Sequence, residues 1–140
     1  MKPKVLIVDD DPINIELLEG YLSKEYDILK AFDGNEALII VESNPPDIIL
    51  LDLIMPGING YQVCKKLKDD PKTNHIPIVI VTSLHETEDR NKAIEAGADD
   101  FITKPFDIIE LIVRVKSLLR TKLYYDTMLG NTSFTLRINP

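Results

Sequence analysis

One cysteine, Cys64, is all the thiol chemistry this chain has, so no disulfide can close within it and no cysteine-based metal centre can be built. Its place in an amphipathic segment makes it a packed core thiol. Positive charge is also short: 16 Lys and Arg stand against 23 Asp and Glu, a net of -7. That balance argues against non-specific nucleic-acid binding by this segment, because attraction to a phosphate backbone needs the opposite sign; a separate domain could still supply it. Apolar runs are brief. After Met1-Lys-Pro-Lys only Val5 to Val8 are apolar in succession, too few for a signal peptide or a membrane span. The expectation is a soluble, cytoplasmic protein. A glycine-rich phosphate cradle is missing too, since the first apolar run is followed by Asp-Asp-Asp-Pro, which repels phosphate. This weighs against a flavodoxin-like module that binds flavin or nucleotide.

What the chain does have is 44% hydrophobic residues, enough for the core of one compact domain. The stretch from Asp47 to Gly60 organises the rest. Ile48 to Leu51 form an unbroken apolar run that ends in Asp52, and a Pro56-Gly57 turn signal and Gly60 follow. A buried parallel strand delivering a carboxylate to the rim of a sheet has this form. Taken alone, an aspartate after a strand is an ordinary turn former. Other strands, however, end in matching polar chemistry.

In chain order, Val5 to Val8 reads as a strand ending in Asp9-Asp10-Asp11. Pro12 opens a helix with Ile15, Leu18 and Leu22 at helical spacing, and the aspartate before it serves as cap. Tyr26 to Ala31 is a weaker second strand, Asp33-Gly34 leads into a helix with Ala37, Leu38 and Val41, and Asn44-Pro45-Pro46 stops it. After the central strand, a helix from about Gly60 carries Tyr61, Val63, Cys64 and Leu67. Pro77 to Val81 is a fourth strand ending at Thr82-Ser83, Arg90 to Ala96 a helix closed by Gly97, and Phe101-Ile102 a short fifth strand before Thr103-Lys104-Pro105-Phe106. A last helix runs from about Asp107 to beyond Leu119. Strands and helices alternating in this way, joined by right-handed crossovers, specify an α/β, doubly wound parallel sheet.

If the first strand lies beside the third, Asp9, Asp10 and Asp52 converge on one crevice, where three unpaired carboxylates repel. They call for a cation, and oxygen ligands without histidine or thiol favour Mg²⁺. Thr82 adds a hydroxyl and Lys104 an ammonium from the next two strand ends. A carboxylate, a metal, a hydroxyl and a lysine around one point describe a site that takes a phosphoryl group onto oxygen, with Asp52 as nucleophile.

These residues resemble the receiver domain of two-component response regulators over about residues 3–122. The matching motifs are Val5 to Asp10, Asp47 to Gly60, Ile78 to Ser83, Gly97 to Asp100 and Lys104-Pro105-Phe106. The resemblance implies a flavodoxin-like sheet of strand order 2-1-3-4-5 with five helices, and Asp52 as phosphoacceptor. It makes Asp10 a direct Mg²⁺ ligand, Asp9 a ligand largely through water, and the backbone carbonyl of Ile54 a further one. Thr82 and Phe101 match the switch pair, although Phe101 replaces the common tyrosine and has no hydroxyl. Lys104 matches the phosphate-binding lysine, whose bond to Pro105 is usually cis in the family. The implied partners are a sensor histidine kinase or phosphotransfer protein, and an output domain or effector reached through the surface of helix four, strand five and helix five.

Such a domain catalyses only its own phosphorylation and dephosphorylation. A metal-dependent phosphatase using an aspartyl-phosphate is the main alternative, but it needs a cap or insertion to bind outside substrates, and the connections here are short. Ile54 and Leu84 flank the path of attacking water, which favours slow autodephosphorylation. Arg90, Asp99, Asp100, Glu110, Arg114 and Arg120 resemble the charged dimer face of receivers joined to winged-helix transcription factors, with Arg90–Glu110 and Asp100–Arg114 as pairs across a two-fold axis. Glu110 and Arg114 could equally pair within their own helix. Residues 1–122 form the receiver and 123–140 an extension or linker, which continues through Tyr124, Tyr125 and Leu129, breaks at Gly130-Asn131, and alternates at Phe134, Leu136 and Ile138 like a strand.

Overall fold

A computed structural model of the chain describes residues 2–129. Five strands and five helices alternate: β1 Lys4–Val8, α1 Pro12–Leu22, β2 Asp27–Ala31, α2 Gly34–Ser43, β3 Ile48–Leu51, α3 Gly60–Asp69, β4 Ile78–Thr82, α4 Thr87–Glu95, β5 Asp100–Thr103 and α5 Ile108–Met128. All strand pairings are parallel, in the order β2-β1-β3-β4-β5. This is the flavodoxin-like sheet expected from the sequence.

Period-two alternation splits the central strands between two cores. Leu6, Val8, Ile49, Leu51, Ile78 and Ile80 face Ala37, Val41, Val63, Leu67 and Ala93 of α2, α3 and α4. Val5, Ile7, Ile48, Leu50, Val79 and Val81 face Ile15, Leu18 and Leu22 of α1 and Leu111, Val115 and Leu119 of α5. Because β3 and β4 are apolar at every position but Thr82, both faces can be covered, and every residue of the two strands is buried.

Most helix starts are written locally. The carboxylates of Asp11, Asp33 and Asp107 accept from Ile13, Glu36 and Ile109 N–H groups, and Asn59 and Gln62 form a reciprocal capping box. Helix α4 begins at Thr87, three residues ahead of the Arg90 start its periodicity predicts. Only Ala93 of that helix is buried, so apolar spacing carries little signal there, and the turn is instead set by the Glu86 N–H donating to Asp89 Oδ2 at 3.2 Å. Strand β5 gains Asp100 and Thr103 through pairing with Val79 and Thr82.

Helix α5 passes residue 122 without a break. The proposed turn at Gly130-Asn131 and the alternation at Phe134, Leu136 and Ile138 lie outside the described residues. Among the described residues no helix is long and apolar enough to cross a membrane.

On the α3–β4 connection, the half-buried His75 ring stacks on Tyr125, with centroids 5.6 Å apart and planes 6° from parallel. Burial first, then the positive charges of Lys122 and Lys68, holds its imidazole below the ordinary value of 6.5, with Asp126 pulling the other way. The unfolded chain therefore binds this proton more readily than the folded one. Its contribution to stability is intact above pH 6.5 and declines as pH falls from there through the folded-state value. Urea midpoints should fall between about pH 7.5 and about pH 5.5, and His75→Gln should flatten that decline.

Candidate functional site

The C-terminal rim of the sheet collects the polar groups, where open α/β sheets bind ligands. Val8 pairs with Leu51, so the next residues on each strand, Asp9 and Asp52, leave the sheet side by side. Backbone bonds hold both in place: Asp9 N–H donates to Ala31 carbonyl at 3.1 Å and Asp52 N–H to Val8 carbonyl at 3.0 Å. Both carboxylates are buried, at 3% and 8% exposure, and Asp10 beside them is exposed. Oxygens of Asp9, Asp10 and Asp52 lie within 4.8 Å of one another, a spacing that can hold a metal ion.

Lys104 arrives from the end of β5, its N–H donating to the Thr82 carbonyl at 2.7 Å and its bond to Pro105 cis. Its ammonium donates to Asp9 Oδ2 at 2.8 Å and Asp52 Oδ2 at 3.2 Å. The other oxygen of each carboxylate takes a backbone donor: Asp11 N–H reaches Asp9 Oδ1 at 2.9 Å, and Ile54 N–H reaches Asp52 Oδ1 at 3.2 Å. Burial opposes the charged ammonium, but its hydrogen bond to Asp9 and the charges of Asp52 and Asp9 outweigh it and raise the Lys104 pKa. The lysine stays cationic, and three carboxylates still face one ammonium, so the set retains room for a further cation. Hard oxygen donors suit a divalent cation of the Mg²⁺ type.

Thr82 is fully buried, its Oγ1 accepting from Leu84 N–H at 3.4 Å. Ile54 is 52% exposed at the same rim and Leu84 is half-buried. Phe101 is already 6% exposed, and the Arg90 guanidinium carbon sits 4.9 Å above its ring centroid. Arg114 reaches both oxygens of Asp100, at 2.7 and 2.6 Å, and Glu110 at 3.5 Å. One of the pairs expected across a dimer axis therefore meets within a single chain.

Sequence reasoning missed the two backbone donors and the role of Gly60. A Cβ at Gly60 would run into the Asp52 carbonyl oxygen and come within 2.8 Å of Leu53 Cα. The first turn of α3 thus presses directly on the loop that carries Asp52. The only sequence signal was Asn59-Gly60 at a helix start.

The family model described as response regulator receiver domain matches residues 5–116. Response regulator PleD of Caulobacter vibrioides is 49% identical over 129 residues, covering 91% of this chain and 28% of that protein. That likeness runs past residue 116 into the last turns of α5. The DNA-binding dual master transcriptional regulator RpaA of Synechocystis is 40% identical over 119 residues, 84% of this chain and 49% of that protein. The chain thus spans about a quarter to a half of the length of these curated relatives. Among solved structures, the receiver domain of Francisella response regulator 1452 superposes with a TM-score of 0.79 at 36% identity, covering 86% of this chain and 98% of that one.

Gly60→Ala should lower unfolding stability by at least about 1–3 kcal/mol, because the methyl group must displace backbone. Gly20→Ala is the control: nothing lies within 4 Å of its Cβ position inside α1, and it should stabilise by roughly 0.5–1 kcal/mol. Urea unfolding of the two variants beside the wild type measures both signs.

Proposed function

The chain belongs to the response regulator receiver domain family, and from that membership we propose that Asp52 accepts a phosphoryl group from a phosphohistidine of a sensor histidine kinase or phosphotransfer protein. The observation that carries this is the Asp52 carboxylate, fixed at one oxygen by Ile54 N–H and at the other by Lys104, beside two more carboxylates. In the transfer, Asp52 attacks phosphorus, the P–N bond to the donor imidazole breaks, and a P–O bond forms. Lys104 already touches the attacking carboxylate, so its ammonium is placed to neutralise charge on the incoming phosphoryl oxygens. Asp10 and Asp52, Asp9 through water, and the Ile54 carbonyl would hold Mg²⁺, which when bound neutralises charge on the same oxygens.

The Thr82 hydroxyl is the sensor: it exchanges the weak bond from Leu84 N–H for donation to the phosphoryl group, and the Phe101 ring settles into the space that Thr82 leaves. That ring starts out buried beneath Arg90, so its movement is a shift within a packed site, transmitted to the face of α4, β5 and α5. Ile54 and Leu84 obstruct attacking water and slow hydrolysis of the phosphoaspartate. The domain acts as a cytoplasmic signalling phosphoacceptor and turns over no outside substrate; among the described residues no inserted cap covers the rim. Residues 1–122 act as receiver and 123–140 as extension or linker toward an output domain or effector.

The activated protein forms a two-fold dimer through α4, β5 and α5, with Arg90, Asp100, Glu110 and Arg114 setting its register. Such surface pairs are worth about 0–1 kcal/mol each, so apolar contacts carry the affinity. Because Arg114 already holds Asp100 in the monomer, the dimer must exchange that pair across the axis.

Intact mass after treatment with acetyl phosphate should show one phosphoryl adduct with Mg²⁺, none with chelator, and none for Asp52→Asn. Thr82→Ala should still be labelled yet lose the amide shifts around Phe101; labelling of Asp52→Asn, or unchanged shifts in Thr82→Ala, counts against the assignment. Sedimentation with beryllium fluoride at on the order of 100 μM should reveal the dimer, where even an interface of about 5–6 kcal/mol is populated, and Arg114→Glu should abolish it.

A further inference from the structure

Helix α5 buries Leu111, Val115 and Leu119 against the sheet, and the next inward positions on the same stripe are Lys122 and Asp126. A helix end running out into solvent would leave these two charges in water. They are instead 6% and 1% exposed, with Lys122 Nζ 2.6 Å from Asp126 Oδ2. Lys122 Nζ also lies 4.0 Å from Asp47 Oδ1, and the other oxygen of Asp47 accepts from Lys4 N–H at 2.7 Å. Tyr125, between the two charges in sequence, stacks on His75. The last turns of α5 therefore engage the start of β3, through Asp47, and the α3–β4 connection at once, and Asp47 ties the same point to β1. All of these lie at the sheet pole opposite Asp52.

We infer that the last two turns of α5 are a latch, an arm clamped in one register to the pole opposite the phosphoacceptor. The physical reason is the kind of contact. An apolar seam tolerates sliding and repacking, because one leucine substitutes for another at modest cost. A buried ion pair contributes little net stability over an apolar pair, but it penalises every alignment that strands one of its charges. Moving α5 by one turn would separate Lys122 from Asp47 and lift Tyr125 off His75. The latch makes no use of the chemistry at Asp52, so its failure and the failure of the phosphoacceptor assignment can be told apart.

Hydrogen exchange of the full-length protein, followed by mass spectrometry on peptides from each half of α5, tests this. Lys122→Met leaves Asp126 and Asp47 buried without that cation, and should raise exchange in residues 120–129 at least about tenfold while residues 108–119 and acetyl phosphate labelling at Asp52 stay unchanged. Lys122→Met combined with Asp126→Leu removes the stranded Asp126 charge but does not rebuild the Lys122–Asp47 contact, so protection should recover only in part. Tyr125→Ala, which leaves both buried charges in place, should loosen the same turns to a smaller extent. Equal exchange in wild type, Lys122→Met and Tyr125→Ala would overturn the latch. So would loosening that spreads through all of α5 and the sheet.

Discussion

Three carboxylates facing one ammonium at the edge of an apolar sheet is the constraint on which the rest of the molecule depends. Left to themselves, Asp9, Asp10 and Asp52 would move apart into water. They cannot, because two of them follow strands that are buried from Val5 and Ile48 onward and whose neighbours are fixed by parallel hydrogen bonding. The apolar core thus serves electrostatics as well as stability: it holds like charges together in a place where a bound cation would relieve them. Lys104 offsets part of that repulsion by bridging Asp9 and Asp52.

The placement of these residues was legible because they stand one or two positions past each apolar run. Asp9, Asp52, Thr82 and Lys104 all stand at strand ends, and strands β1, β3 and β4 are too uniformly apolar to be misplaced by more than a residue. Other features depend on what comes into contact in three dimensions. The missing side chain of Gly60 matters only because α3 abuts the Asp52 carbonyl. Arg90 read as a charge of the dimer face facing Glu110, and nothing in the local sequence places it over Phe101. Nothing in the local sequence marks Lys122 and Asp126 for burial, and the Asp47 that Lys122 meets lies far away in sequence.

Helix α4 is the element most lightly tied down. Its one buried residue is Ala93, and its other ties include the Tyr61 hydroxyl donating to Asp89 carbonyl at 3.1 Å and Arg90 on Phe101. A cation over an aromatic face contributes about 0.5–1 kcal/mol at an exposed site. Contacts of that size can be rearranged by a single new charge-assisted hydrogen bond, which is the scale of signal a switch on this face requires.

Strand β3 has another consequence. Its four residues are wholly buried, with Asp47 before them and Asp52 after them. Along its length it offers nothing for a ligand to grip, so all of its polar chemistry sits at two termini that face opposite ways. Lys104 and the Ile54 N–H hold Asp52 at one end, and the Lys4 N–H and Lys122 meet Asp47 at the other. A change to the contacts at one end of β3 therefore leaves these contacts at the other end in place.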